Sequence, residues 1–474
     1  MAKYFYLTTT LPYVNAPPHI GFALELVQAD AIVRFQRLLG SEVVFNTGTD
    51  EHGQKVYKKA LEEKKDPQVY TDEYAPKFEK LKEALNLSYT HFIRTTNPDH
   101  KKAAQEFWRR CDKNGDIYKK MYKIKYCVGC ELEKTDSELV EGLCPLHPDE
   151  KLEIIEEENY FFRFSKYKEK LLKLYDENPE FVFPDYRLRE IRNFVSKGLE
   201  DFSISRLKRK MPWGVEVPND PEHVMYVWFD ALINYISTLG WPSDQENFSK
   251  FWPGVQIAGK DNLRQQSAMW QAMLLSAGLK PSKQIIIHGF ITSGGKKMSK
   301  SLGNVINPYE IVKKYGTDAV RYYLLREIPP FEDGDYSDSR MQEIYDADLA
   351  NELGNLVSRL TTLGETEKII AENQTDKELL KKSLTELAGL MQKYQFNDAL
   401  NYIWIWIKGL NRKLDNEAPW KKSQLGRQTI IRQLLTDLNA IGNLLSPFLP
   451  ETAEKIISST QGQIKKASPL FPKG

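Results

Sequence analysis

With 474 residues, 41% hydrophobic and 28% charged, the chain is too long for one compact core and implies about three domains. Its 66 Lys and Arg against 65 Asp and Glu leave a net charge of +1, which excludes global attraction to a polyanion and leaves nucleic-acid contact to local patches such as residues 119–125, 206–210 and 296–300. No apolar run reaches membrane-spanning length, and the first residues have neither signal nor transit character, so a cytoplasmic protein without a membrane partner is expected.

Along the chain, Tyr4 to Thr9 reads as a strand, Pro18 to Leu39 as a helix (Ile20, Leu24, Val27 and Ala31 recur at helical spacing), and Glu42 to Asn46 as a second strand. The prolines suit the helix's first turn and Gly40 its C-cap. A right-handed crossover between parallel strands puts the loops Thr10 to His19 and Thr47 to His52 at the carboxyl edge of one sheet, where nucleotides bind in open α/β folds.

Residues 115–222 differ in character and read as an insertion. They hold three of the four cysteines, as Cys127-Val-Gly-Cys130 and, after thirteen residues, Cys144-Pro-Leu-His147. Two chelating turns supplying three thiolates and an imidazole saturate a tetrahedral ion, the pattern of one structural Zn²⁺ with no open position for catalysis. Cys111 is left as a buried thiol. Val255 to Ala258 and Gln284 to His288 resume the sheet, and from about Asp346 the pattern is helical, with Trp404 to Ile407 as helix core. The expected fold is α/β, a doubly wound parallel, Rossmann-like catalytic sheet with an inserted zinc-knuckle domain, followed by an α-helical domain. The expected limits are 1–114 and 223–292 for the two catalytic halves, 115–222 for the insertion, 293–346 for a lysine-loop region and 347–474 for the helices.

Two strings carry most of the functional signal: Pro18-His19-Ile20-Gly21-Phe22, and Lys297-Met298-Ser299-Lys300-Ser301 after Gly294-Gly295. In this order they resemble the ATP-handling signatures of class I aminoacyl-tRNA synthetases, and over essentially the whole chain the context resembles the methionyl-tRNA synthetase family. Such a protein joins a carboxylate to the α-phosphorus of ATP. The nucleophile is already ionised, so the reaction needs in-line positioning and stabilisation of moving phosphate charge, with Mg²⁺ accompanying ATP. His19 at a helix N-terminus suits that task.

By resemblance, Lys297 and Lys300 close over the triphosphate on a mobile glycine loop and Lys300 stabilises departing pyrophosphate. Arg206 contacts phosphates, Gly21 and Gly259 let the nucleotide approach, and Asp261 accepts the ribose hydroxyls. Asp50 is similar to the family's aspartate for the substrate ammonium. Leu11, Tyr13, Trp228, Ala231 and Tyr235 match the methionine pocket, whose aromatic walls suit a polarisable thioether. Asn262 and Gln266 are placed on the same wall. Asn355, Arg359 and Trp420 resemble the anticodon readers, implying tRNA(Met) with its CAU anticodon as a partner alongside ATP and L-methionine.

Three departures stand out: Phe22 replaces the second signature histidine, Leu232 stands where bacterial relatives often carry proline, and Gln265-Gln266 replaces Phe-His. Phe22 and Gln265-Gln266 motivate an alternative, a tRNA-binding module that kept the fold and lost the chemistry. Synthetases for isoleucine, valine or leucine carry far larger insertions, and a small-molecule nucleotidylyltransferase has no use for the helical domain. The resemblance implies a monomer, since no dimerisation module follows the helices.

Overall fold

A computed structural model describes residues 3–134, 138–298, 304–371 and 377–472. Six strands form one parallel sheet: β1 (Tyr4–Thr8), β2 (Glu42–Thr49), β3 (His91–Arg94), β4 (Val182–Phe183), β5 (Val255–Gly259) and β6 (Gln284–His288), in the order β3-β2-β1-β5-β6-β4. β1 and β5 are almost wholly buried, as the apolar strands of a sheet covered on both faces must be. The chain winds outward from β1 in one direction and then in the other, so the strand order reverses between β1 and β5. This confirms the doubly wound expectation.

Helix α1 (Ile20–Leu38) follows β1 and is capped by His19. The prolines therefore precede the helix instead of forming its first turn. α1 buries not only its apolar stripe but also Glu25 and Asp30. Asp30 pairs with Arg34 at 2.7 Å and with Arg321 at 2.8 Å, both Asp30 and Arg321 being fully buried. Arg321, in the helix Thr317–Arg326, also donates to the carbonyls of Leu85, Pro447 and Phe448.

The segment read as an insertion is a long antiparallel ribbon, Ile117–Cys127 paired with Glu153–Phe162, flanked by Leu132–Lys134 and Phe202–Ser203. One correction applies here: residues 115–222 do not lie wholly outside the main sheet, because Val182–Phe183 add its edge strand beside β6. The C-terminal region packs the helices Asn355–Thr366, Phe396–Glu417, Gln424–Leu445 and Pro450–Ser459, with Trp404 buried as expected. One apolar core runs without a break from Leu7 and Ile257 under the sheet to Leu434 and Ile441 among these helices.

Candidate active site

At the carboxyl edge of the sheet, where the strand order reverses, lies a cleft of about 420 Å³. Leu11, Tyr13, His19, Gly21, Asp50, Trp228, Ala231, Tyr235, Gly259, Asp261, Asn262 and Gln266 all line it, as do Phe22, Leu232, Gln265 and Met298. Residues separated by up to about three-fifths of the chain thus converge on one space.

On the nucleotide side, His19 Nδ1 accepts the Gly21 N–H at 3.1 Å, so a neutral ring carries its proton on Nε2. The helix N-terminus behind it favours an anion. A Cβ on Gly21 would lie 2.9 Å from the His19 ring, so the glycine makes room for the imidazole at the edge of the cleft. Phe22 packs edge-on against Phe78 at 5.8 Å, a core contact where the family's second histidine would stand. Asp261, exposed just past β5, accepts from Asn262 Nδ2 at 3.2 Å.

Sequence reasoning missed His288 and Glu25. His288 Nε2 lies 2.9 Å from Glu25 Oε2, while Glu25 Oε1 accepts from the Thr10 N–H and hydroxyl. Burial alone would lower the His288 pKa, but the Glu25 hydrogen bond and charge raise it above the ordinary histidine value. The pair braces α1 and the first loop against the end of β6.

On the amino-acid side, the backbone of Asp50 pairs with the loop carrying Tyr13. Burial, followed by the charges of Asp230 and Glu131, holds the Asp50 carboxyl well above the usual carboxylate range. A cationic partner would reverse that shift. Tyr235 OH accepts from Gln266 Nε2 at 2.6 Å, and Gln265 and Gln266 open a buried π-helical turn, Gln265–Met269. Among the described residues the buried atoms Trp228 Nε1, Gln265 Oε1 and Gln266 Oε1 find no hydrogen-bond partner, which marks this wall as one that a polar ligand group completes.

The lysine signature is only partly described. Ile291–Ser293 and Lys296–Lys297 form a short hairpin, and Gly294 and Gly295 turn it with φ of +62° and +70°, a left-handed pair that side chains rarely adopt. Asp335 anchors the turn through the Gly295 N–H at 2.9 Å and Thr292 Oγ1 at 2.6 Å. The glycines therefore make a turn tied at one point by Asp335. Lys300 lies outside the described residues.

Arg206 stands apart from the other predicted residues. It does not line the cleft but a neighbouring cavity of about 350 Å³, together with Glu131, Glu153 and Glu157. Its Nη1 donates to Ser203 Oγ and the Ser205 carbonyl, each at 2.8 Å, and its guanidinium stacks over Tyr226 at 4.2 Å. The basic stretches around it are also paired with acids, Lys119 with Asp220, Lys123 with Glu156 and Lys210 with Glu157.

Cys127 ends the strand Ile117–Cys127, and Cys130, Cys144 and His147 gather beside it, with all four ligand atoms within 4.8 Å of one another. Cys130 Sγ lies 3.4 Å from Cys144 Sγ and 3.3 Å from His147 Nδ1. An ion about 2.3 Å from each sulfur in tetrahedral geometry separates sulfurs by about 3.8 Å, so the cluster fits one metal ion. A Cβ on Gly129 would lie 2.4 Å from the His147 ring, so only glycine admits that ligand. Gly129, Cys130 and His147 also line the cleft, so the metal cluster forms part of its wall.

On the helical region, Asn355 is exposed, and Arg359 one turn later reaches Asp415 Oδ1 at 2.5 Å. Trp420, on the turn Pro419–Lys421, is 50% exposed and thus not a core residue.

The family profile described as tRNA synthetases class I (M) matches residues 5–153 and 147–361. The chain is 43% identical over 476 residues to a methionine–tRNA ligase of Nostoc sp., covering 96% of this chain and 89% of that one. It is 42% identical over 470 residues to the methionine–tRNA ligase of Thermotoga maritima, covering 95% and 74%. Among solved structures it resembles Mycobacterium tuberculosis methionyl-tRNA synthetase in complex with methionyl-adenylate, with a TM-score of 0.89 and 36% identity over 100% of this chain and 99% of that one.

Proposed function

The chain belongs to the class I (M) tRNA synthetase family, and from that premise we infer that it is a methionine–tRNA ligase, activating methionine with ATP and charging tRNA(Met). One observation carries the reading: the buried Asp50, the aromatic wall of Tyr13, Trp228 and Tyr235, and the His19 helix N-terminus meet in a single cleft.

In the first half-reaction a methionine carboxylate oxygen bonds to the α-phosphorus and the bond to pyrophosphate breaks. Asp50 takes the substrate ammonium, which offsets the buried charge that raises its pKa. The aromatic wall with Gln266 takes the thioether. His19, donating from Nε2 at the helix N-terminus, stabilises phosphate charge, Gly259 and Asp261 hold the nucleoside, and Lys297 and Lys300 act on the departing pyrophosphate. Mg²⁺ accompanies ATP. In the second half-reaction a terminal ribose hydroxyl of tRNA attacks the adenylate carbonyl, an ester forms and AMP leaves.

Cys127, Cys130, Cys144 and His147 hold one Zn²⁺, whose saturated coordination makes it structural. Asn355, Arg359 and Trp420 read the CAU anticodon, with Trp420 stacking on a base. The same reading makes the protein a cytoplasmic monomer, to be checked by light scattering and fractionation.

ATP–pyrophosphate exchange across a panel of amino acids tests the central claim. Exchange dependent on methionine is expected. Retained tRNA binding without exchange would establish the binding-module alternative, and faster exchange with another amino acid would overturn the substrate assignment.

A further inference from the structure

Beneath the amino-acid end of the cleft, three side chains closed off from solvent hold one another. Asp230 Oδ2 lies 2.6 Å from His52 Nδ1, Asp230 Oδ1 lies 2.9 Å from His100 Nε2, and His100 Nδ1 lies 2.9 Å from Ser237 Oγ. Their side chains are at most 2% exposed. A carboxylate only accepts, so both facing nitrogens carry protons, and His100 Nδ1 is left to accept from the Ser237 hydroxyl. The three come from three separate segments, two of which carry cleft residues. His52 follows Asp50 by two residues, Asp230 sits in the helix Val227–Ala231 between the cleft residues Trp228 and Ala231, and His100 lies in the helix Pro98–Lys113.

We propose that Asp230, clamped by His52 and His100, is a positioning residue for methionine: it fixes the wall of Trp228 and Ala231 against the strand end carrying Asp50. The proposal rests on the methionine reading above. Burial alone would raise the Asp230 pKa, but the charge of His52 and the hydrogen bonds from His100 and His52 hold it far below the carboxylate range, so it is ionised whenever the enzyme works. After burial, its charge is the largest influence on Asp50. An amide in its place would turn an N–H toward one of the two histidine N–H groups, breaking the clamp on one side and removing the charge.

The test is methionine-dependent exchange with KM measured separately for methionine and for ATP, alongside melting temperatures. Asp230→Asn is expected to raise KM for methionine about tenfold to a hundredfold while KM for ATP moves by less than about threefold. His100→Gln, which leaves the His52 contact in place, is expected to raise KM for methionine about threefold to tenfold. If Asp230→Asn does not fold, His100→Gln decides alone. A folded variant with unchanged KM for methionine, or with both KM values rising together, overturns the proposal. An unmutated protein without methionine-dependent exchange would instead overturn the reading on which it rests.

Discussion

In the cleft, Asp50, Gln266 and His288 are buried and held by neighbours from distant parts of the chain, whereas on the helical face Asn355 is exposed, Trp420 is half exposed and Arg359 meets Asp415 at the surface. The contrast follows from the partners. Atoms that react must be held to within fractions of an ångström, and the cross-bracing does that in advance. A macromolecular partner has to reach the side chains that bind it, and on the proposed reading these three stay at the surface for that reason. Substitutions in the two regions should therefore have separable consequences.

The largest expected effect is on the chemical side. Lys300→Ala should slow methionine-dependent exchange by about a hundredfold to a thousandfold, roughly 2.7 to 4 kcal/mol, with little change in methionine affinity. An unaltered exchange rate would place that lysine outside the chemistry. Next in size, Trp420→Ala should cost about 1 to 3 kcal/mol in tRNA recognition and leave exchange intact. Loss of exchange in that variant would break the comparison outright, since the residue would then support the fold of both regions.

A smaller effect sharpens the contrast through stability. A carboxyl whose folded pKa is raised makes the folded state bind more protons than the unfolded one, so its contribution falls as pH rises above the ordinary carboxylate range. Asp50→Asn should therefore stabilise the ligand-free protein by about 1 to 2 kcal/mol at neutral pH, and the gain should close as pH falls toward about 4. Melting curves at both pH values check this, and equal gains at both would remove burial of charge as the cause. The same variant should bind methionine poorly, whereas stability gained with affinity kept would unseat Asp50 as the ammonium partner.

The smallest stability change is expected at Arg359. Removing its surface pair with Asp415 should alter stability by at most about 1 kcal/mol. Arg359→Ala should nonetheless narrow the discrimination between a CAU anticodon and one with an altered first base, measured by aminoacylation at fixed salt. Equal losses on both tRNAs would make it a backbone contact.

The strand, helix and strand at the N-terminus and the metal cluster were legible because each rests on local pattern, apolar periodicity or chelating spacing, whereas the residues that meet in the cleft were named only through the family resemblance. β3 was not legible, because His91–Arg94 has only two adjacent apolar residues, Phe92 and Ile93, and shows no alternation, nor was β4, whose two residues carry no period. Contacts between distant positions were equally hidden. Glu25 and His288 are 263 positions apart and His52 and Asp230 178, and nothing in either segment announces the other. A usable signal did exist in the seven histidines of the chain, five of which line or underlie the cleft. Arg206 shows the limit from the other side: its motif was readable, but the cavity it lines depends on stacking over Tyr226, twenty positions away, which only the folded chain brings to bear.

Arg321 bears on whether the molecule can be severed. The change of character near residue 346 invites a cut there, yet this fully buried guanidinium takes two of its carbonyl partners, Pro447 and Phe448, from beyond that point, and neighbouring Asp318 accepts the Thr452 N–H at 2.6 Å. A fragment ending at 346 would bare half of a continuous core and leave a charged group facing it without those carbonyls. Breaking a buried arrangement of this kind costs about 3 to 5 kcal/mol, a large share of what a domain has to spare. The seam visible in the sequence is therefore no place to divide the protein, and the two parts should melt as one and be inherited as one.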